Sequence, residues 1–156
     1  WWRCKKGHSW QAAAVSRIRN RTECPVCAGK KVISGENDLA TVFPQLAAQW
    51  DAEKNGTLTP EAVSPNSNRR VWWKCEKGHA YCAVIAHRAQ SGSDCPYCTN
   101  RKVLAGFNDL ATLEPAVAKE WHPTLNGALT PEMVTAGSHR KVWWQCALGH
   151  VWKAAI

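Results

Sequence analysis

Apolar residues in this chain come in short bursts broken by polar turns, and no burst is long enough to span a membrane. Val71-Trp72-Trp73 follows the basic pair Arg69-Arg70 and reads as a strand. Neighbouring residues on a strand point to opposite faces, so one Trp of the pair should enter the core. The other should stay partly exposed, cover the linker or offer a platform for a stacked base. Residues 80–88 read as a longer strand, with residues 9–17 in the matching place. The polar stretches 90–93 and 19–22 then read as the turn of a β-hairpin that returns toward Cys95 and Cys24.

Helical spacing follows downstream. Pro44 and Pro115 suit the first position of a helix, and Leu46 with Trp50, like Val117 with Trp121, are four apart on one face. This predicts an amphipathic helix folded back onto the hairpin. Just before it, Asn37-Asp38 and Asn108-Asp109 stand where a short helix would be capped. Asn55-Gly56 and Asn126-Gly127 mark turns. Thr59-Pro60-Glu61 and Thr130-Pro131-Glu132 read as N-cap, Pro at the first helical position and an acidic first turn.

These paired positions reflect an internal repeat. Trp1-Trp2-Arg3-Cys4 recurs as Trp72-Trp73-Lys74-Cys75 and as Trp143-Trp144-Gln145-Cys146, a period of 71 residues each time. Residues 1–71 lie on 72–142 without a gap, with about 32 identical positions of 71. Three domains follow: repeat 1 over 1–71, repeat 2 over 72–142, each with a helical linker, and the truncated start of a third over 143–156. The chain opens without Met inside one motif and stops inside another, as expected of a piece of a longer protein.

The retained residues carry the chemistry. Cys75 and His79 are followed, about fifteen residues on, by Cys95 and Cys98; Cys4, His8, Cys24 and Cys27 repeat that spacing. C-x3-H with C-x2-C is the ligand set of a structural Cys3His zinc site, and Gly78 allows the positive φ that folds the first two ligands onto one ion. A C-x2-C alone could be a redox motif; the upstream Cys and His at the same distance in both copies favour zinc. Pro96 suits a first helical position, so the second ligand pair should open a helical turn, whose N–H groups favour thiolate. Two Zn2+ sites are expected, with Cys146 and His150 a partial third. Knuckle, hairpin and ligand-bearing helix start make small α+β, zinc-stabilised modules: tandem treble-clef fingers with helical linkers. Too little aliphatic mass is present for a large core, so zinc acts as the staple. Cys82 has no counterpart and reads as a packed thiol; His87, His122 and His139 do not recur and read as surface or hydrogen-bonded histidines, not ligands.

Charge narrows the function. Among 156 residues, 20 Lys and Arg against 12 Asp and Glu leave a formal net charge of +8. Two zinc sites of three thiolates and a neutral His lower that to roughly +6. A basic chain favours a polyanionic partner. The pairs Lys30-Lys31 and Arg101-Lys102, directly after the ligand turns, are candidate phosphate contacts or solvated loops. Arg69-Arg70 and Arg140-Lys141 lead into the Trp-Trp strands and join that candidate set. Arg17 and Arg88 read equally as phosphate contacts or as solvated charges or braces to a backbone carbonyl. Reduced cysteines without a signal peptide point to the cytoplasm rather than a disulfide scaffold.

The run Val-Trp-Trp-x-Cys-x-x-Gly-His, Cys-Pro-x-Cys, Gly-x-Asn-Asp-Leu-Ala-Thr, Pro-x-x-Ala-x-x-Trp and Asn-Gly-x-Leu-Thr-Pro resembles the zinc-ribbon or treble-clef repeat family of bacterial and phage proteins. The resemblance spans nearly the whole chain. It implies tandem zinc modules, sometimes beside restriction-endonuclease-like domains, that bind nucleic acid. Carried over by position, Cys4, His8, Cys24 and Cys27 would hold one zinc and Cys75, His79, Cys95 and Cys98 another; the third copy departs from the pattern.

Three function classes are in view. The first is a non-catalytic nucleic-acid-binding module, for double-stranded DNA before RNA, with other domains of the parent protein as further partners and no membrane. The second is a structural or protein-interaction scaffold attached to a nuclease or other effector, for which Trp-rich faces are suited. The third, a nuclease within this chain, is disfavoured because the recurring His is a zinc ligand and a filled four-ligand site leaves no open position. A nuclease elsewhere in the parent chain fits all of this.

Overall fold

A computed structural model describes residues 1–156, which divide into two compact units, Trp1–Ser93 and Asp94–Ile156. In the first, β1 (Trp2–Arg3) pairs antiparallel with β2 (Ser9–Trp10), and a short helix α1 (Ala14–Ile18) follows. The linker holds three four-residue helices, α2 (Leu39–Val42), α3 (Pro44–Ala47) and α4 (Ala52–Asn55), then a 3-10 turn over Pro60–Ala62. A longer hairpin closes the unit: β3 (Arg70–Lys74) against β4 (Ala80–Val84), continuing into α5 (Ile85–Ser91). The second unit repeats linker and hairpin, with α6 (Leu110–Leu113), α7 (Pro115–Ala118), a 3-10 turn over Pro131–Met133, and β5 (Lys141–Gln145) against β6 (Val151–Ala155).

The hairpin lies one step earlier in the chain than expected. The Cys-x-x-Gly-His knuckle is itself the hairpin turn, and the strand read over residues 80–88 is strand only to Val84. Ile85, Ala86 and Arg88 are all buried, a spacing that suits one helical face and not a strand. The first N–H groups of α5 find acceptors outside the helix, Ile85 on the Arg69 carbonyl at 3.1 Å and Ala86 on that of Ser67 at 3.0 Å. Gly92 ends α5 in the left-handed region, φ 57°, so the polar stretch read as a hairpin turn is a helix C-cap.

The expected amphipathic helix is also shorter. Phe43 and Glu114 precede prolines, leave the α region and split α2 from α3 and α6 from α7. After α3 the chain tightens to i→i+3 bonds, Gln49 N–H on Leu46 and Trp50 N–H on Ala47, both 3.0 Å. Trp50 thereby leaves the helix and lies antiparallel beside Trp73 of β3, as Trp121 does beside Trp144 of β5. The bridge is made by Lys74 N–H to the Gln49 carbonyl, 2.7 Å, and Asp51 N–H to that of Trp72, 3.2 Å. Packing and repeat are therefore out of phase, because each linker folds onto the hairpin of the copy that follows it.

One Trp of each pair does go in. Trp73 is fully buried and Trp72 is 38 % exposed; Trp144 is buried and Trp143 only partly so. The buried ring meets the linker Trp edge-on, Trp50 to Trp73 at 5.4 Å and Trp121 to Trp144 at 5.5 Å. Leu39, Val63, Val71, Tyr81 and Ile85 of the same unit are buried as well; Leu110, Val134 and Val142 form one core cluster with Trp144. The outer Trp72 is covered from one side by Lys54, whose Nζ stands 4.6 Å from the ring centroid.

Candidate metal centre

Each knuckle is built the same way. Cys4 N–H bonds the His8 carbonyl and Gly7 N–H the Cys4 carbonyl, both at 3.0 Å; Cys75, His79 and Gly78 make the same pair of bonds at 3.1 and 2.8 Å. Gly7 and Gly78 take φ of 93° and 82°, which bends Cys and His onto one side of the turn. The second pair of ligands stands on a single helical turn. Ala28 N–H bonds Cys24 at 2.9 Å and Thr99 N–H bonds Cys95 at 3.1 Å; then Gly29 and Asn100, at φ 68° and 55°, stop the winding. The ligand-bearing helix start is therefore present as one turn.

The two turns bring the ligands together. The donor atoms of Cys4, His8, Cys24 and Cys27 all lie within 4.8 Å of one another, as do those of Cys75, His79, Cys95 and Cys98. His8 Nδ1 is 3.3, 3.5 and 3.4 Å from the sulfurs of Cys4, Cys24 and Cys27, and Cys4 Sγ is 3.8 Å from Cys27 Sγ. Tetrahedral zinc, with Zn–S of about 2.3 Å and Zn–N of about 2.0–2.1 Å, sets S···S at about 3.8 Å and S···N at about 3.6 Å. Cys75 Sγ to His79 Nδ1, 3.5 Å, agrees. All eight cysteines are unbridged, and the convergence of Cys24 and Cys27 with Cys4 and His8 favours a metal site over a redox pair.

The electrostatics of the first group call for a cation. Burial opposes ionisation of Cys4, yet the amides of Lys6 and His8 and the thiols of Cys27 and Cys24 draw its pKa down to about 7. Burial, the Cys4 and Cys24 thiols and their charge push Cys27 up to about 11. Three thiols at one point cannot all ionise without a compensating charge; a divalent ion supplies it and displaces their protons. His8 is raised by its bond to Glu36. Both groups are Cys3His sites positioned to hold zinc, closed by four protein donors.

Sequence reasoning missed the residues that tie the ligand turns to the linker. Of Asn37 and Asp38, either of which could cap the helix that follows, Asn37 does not. Its Nδ2 instead donates to the carbonyls of Val26 (2.8 Å) and Lys31 (2.9 Å), while its Oδ1 accepts from Ile33 N–H at 2.7 Å. Asn108 repeats this on Tyr97, Lys102 and Leu104. Recurrence of Asn-Asp at the same offset from Cys-Pro-x-Cys was the available signal. Asp38 and Asp109 are the caps, accepting from Thr41 and Thr112 N–H at 2.9 Å. Thr59 and Thr130 make no capping bond; Thr130 serves the Glu132 carboxylate instead and lowers its pKa.

The basic candidates fall into two kinds. Lys30, Lys31, Arg101 and Lys102 are exposed at the ligand turns, and Arg69, Arg70, Arg140 and Lys141 are exposed at the hairpin entrances. Arg88 is buried: its guanidinium donates to Tyr81 Oη and, at 2.5 Å, to Gln49 Oε1, and lies 5.1 Å from the Trp73 ring. Arg17 is half-buried, donates to the Thr22 carbonyl and lies between Trp2 (5.1 Å) and Trp10 (5.3 Å). Cys146 and His150 form the third knuckle, Cys146 N–H on the His150 carbonyl at 3.1 Å, but belong to no group of three or more ligands. Cys82 is half-buried on β4 opposite Trp72; His87 and His139 are exposed; His122 Nδ1 accepts from the Leu125 amide at 3.2 Å. No helix is long and apolar enough to cross a membrane.

Comparison with known proteins agrees with this geometry. A protein of Escherichia phage T5 named "Putative endonuclease" is 22% identical over 107 residues, which cover 67% of this chain and 33% of that protein. The chain thus spans about a third of that relative's length. Residues 1–30, 46–101 and 117–156 match the family described as a probable treble-clef zinc finger domain. Two such ligand groups, each joining a knuckle to a Cys-Pro-x-Cys turn, and a match over most of its length place this chain in the treble-clef zinc finger family.

Proposed function

We propose that the chain is a nucleic-acid-binding module, with double-stranded DNA as its partner and no catalysis of its own. The observation that carries this is the anchoring of the basic pairs to the metal sites. Lys30 and Lys31 N–H bond the Pro25 carbonyl at 2.8 and 2.9 Å, and Lys102 N–H bonds that of Pro96 at 2.9 Å. Both prolines stand between two zinc ligands, so the centre that folds each copy also sets where its exposed charge lies. Arg69-Arg70 and Arg140-Lys141 add a second exposed pair per copy. Arg17 and Arg88, held by aromatic rings and internal acceptors, contribute to the fold first. A filled four-donor centre offers no position for an activated water, which favours binding over chemistry. The relative named for an endonuclease fits a module that brings an effector to nucleic acid.

Replacing Lys30, Lys31, Arg101 and Lys102 with Ala tests the reading through duplex affinity against salt. Each lost phosphate contact should lower the slope of log K against log salt by about 0.9. An unchanged slope, with zinc content intact, overturns the role of these residues. A second reading, docking of a protein partner, has one observation in its favour: Leu148, Val151 and Trp152 are exposed on the third hairpin. It predicts association that ignores salt and no affinity for duplex.

A further inference from the structure

The geometry points to Glu36 as a positioning residue of the first metal centre, one that makes the two centres chemically unequal. His8 turns Nδ1 toward the three sulfurs. Its other ring nitrogen, Nε2, faces away from them and is hydrogen-bonded to Glu36 Oε1. When Nδ1 gives its lone pair to zinc, Nε2 carries the ring proton, and the bond runs from Nε2–H to the carboxylate. Such a partner selects the tautomer, holds the ring plane and strengthens the donor atom on the other side of the imidazole.

Glu36 is placed there by the backbone and is no chance surface neighbour. Its N–H bonds the Ile33 carbonyl at 3.1 Å. On one side Gly35 N–H bonds Asp38 Oδ2 at 2.6 Å; on the other Asn37 grips the Val26 carbonyl, which lies between the ligands Cys24 and Cys27. The carboxylate is thereby registered on the ligand turn itself. It is 44% exposed, so its charge is screened, but its position is set by buried or half-buried bonds.

The same frame recurs in the second copy. Gly106 N–H bonds Asp109 Oδ2 at 2.6 Å, and Asn108 grips the Tyr97 carbonyl between Cys95 and Cys98. The residue it carries is Phe107, an aromatic ring in place of the carboxylate. The slot before the Asn staple is thus a tuning position: a carboxylate in the first copy, an aromatic ring in the second. Glu36 accordingly adds to zinc retention at the first centre alone.

The zinc-loaded chain carrying Glu36→Gln tests this, since Gln keeps the size and an acceptor oxygen but loses the charge. Second-sphere partners commonly change metal affinity 10–100-fold, and a half-exposed one belongs near the lower end. One of the two zinc equivalents should become about tenfold weaker in competition with a chromogenic chelator, and the other should not move. Glu23→Gln, an exposed carboxylate beside Cys24, removes the same charge and should leave both equivalents as they are. Imidazole 15N spectra should show His8 bound through Nδ1, with its Nε2 proton exchanging faster in Glu36→Gln. Unaltered release of both equivalents, equal weakening of both, the same drop in Glu23→Gln, or an unchanged Nε2 proton would each overturn the inference.

Discussion

Asp38 and Asp109 are wholly buried carboxylates, and each serves three donors at once. One oxygen accepts the cap N–H of Thr41 or Thr112; the other accepts that residue's hydroxyl at 2.7 Å and the amide of Gly35 or Gly106. Burial alone would raise these carboxyls; the Thr side chain and the Thr and Gly amides outweigh it and hold them below the ordinary value of 3.8. A group whose folded pKa is depressed stabilises the fold above its unfolded value and loses that effect as pH falls through the folded one. Asp38→Asn should therefore cost about 1–3 kcal/mol at neutral pH, because its amide NH2 would face two donors. Denaturant titrations of the zinc-loaded protein at neutral pH, where the carboxylate's contribution is fully present, should read this gap to the parent protein. A variant as stable as the parent there would show that Asn meets the same three donors without loss.

At the scale of the element, the second and third hairpins are each held on the outer edge by one Asn of the preceding linker. Asn55 Oδ1 accepts from Trp72 N–H and its Nδ2 donates to the Trp72 carbonyl, both 2.8 Å; Asn126 does the same for Trp143 at 2.7 and 2.8 Å. The side-chain amide thus imitates a paired strand residue. Asn126→Ala should cost about 1–2 kcal/mol, seen as a lower unfolding midpoint, since two modest bonds to a strand edge are lost. The two tryptophans of a pair should separate clearly. Trp73→Ala removes a ring that Trp50, Tyr81 and Arg88 are built around and should cost about 3–5 kcal/mol; Trp72→Ala should cost under about 1 kcal/mol in the same assay. Equal losses would contradict the one-in, one-out packing of β3.

For the molecule as a whole, metal and fold should rise and fall together. The cores are small clusters around one Trp each, and short elements of four or five residues do not persist without tertiary support. Elemental analysis should find two zinc ions per chain, and a strong chelator should abolish the cooperative unfolding transition. Cys24→Ser should release one equivalent. Cys146→Ser should leave the count at two, because the third knuckle brings only two donors. Retention of a cooperative transition after full zinc removal would show that the Trp clusters suffice alone.

The zinc ligands, the knuckles and the Asp38 and Asp109 caps were legible in the linear chain because each depends on spacing over a few residues, and the repeat displayed every spacing twice; Thr59 and Thr130 carried the same local signal and cap nothing. Cys-x-x-Gly-His can fold only onto one side of a tight turn, and Asp before Leu-Ala-Thr caps whatever helix follows. The partners of those local pieces were not legible. Arg88 could have faced solvent or phosphate; burial between Trp73 and Tyr81, with Gln49 39 residues away, decided it. Trp50 shared a helical face with Leu46 in spacing, yet a proline-split, tightened helix swung it onto the next hairpin. Glu36 gave no local signal at all: its link to His8 spans 28 residues and exists only because Asn37 fastens two turns together. Local chemistry is written in neighbouring residues, whereas which surfaces meet depends on how several short, individually unstable elements close on each other, and that is settled only when they pack.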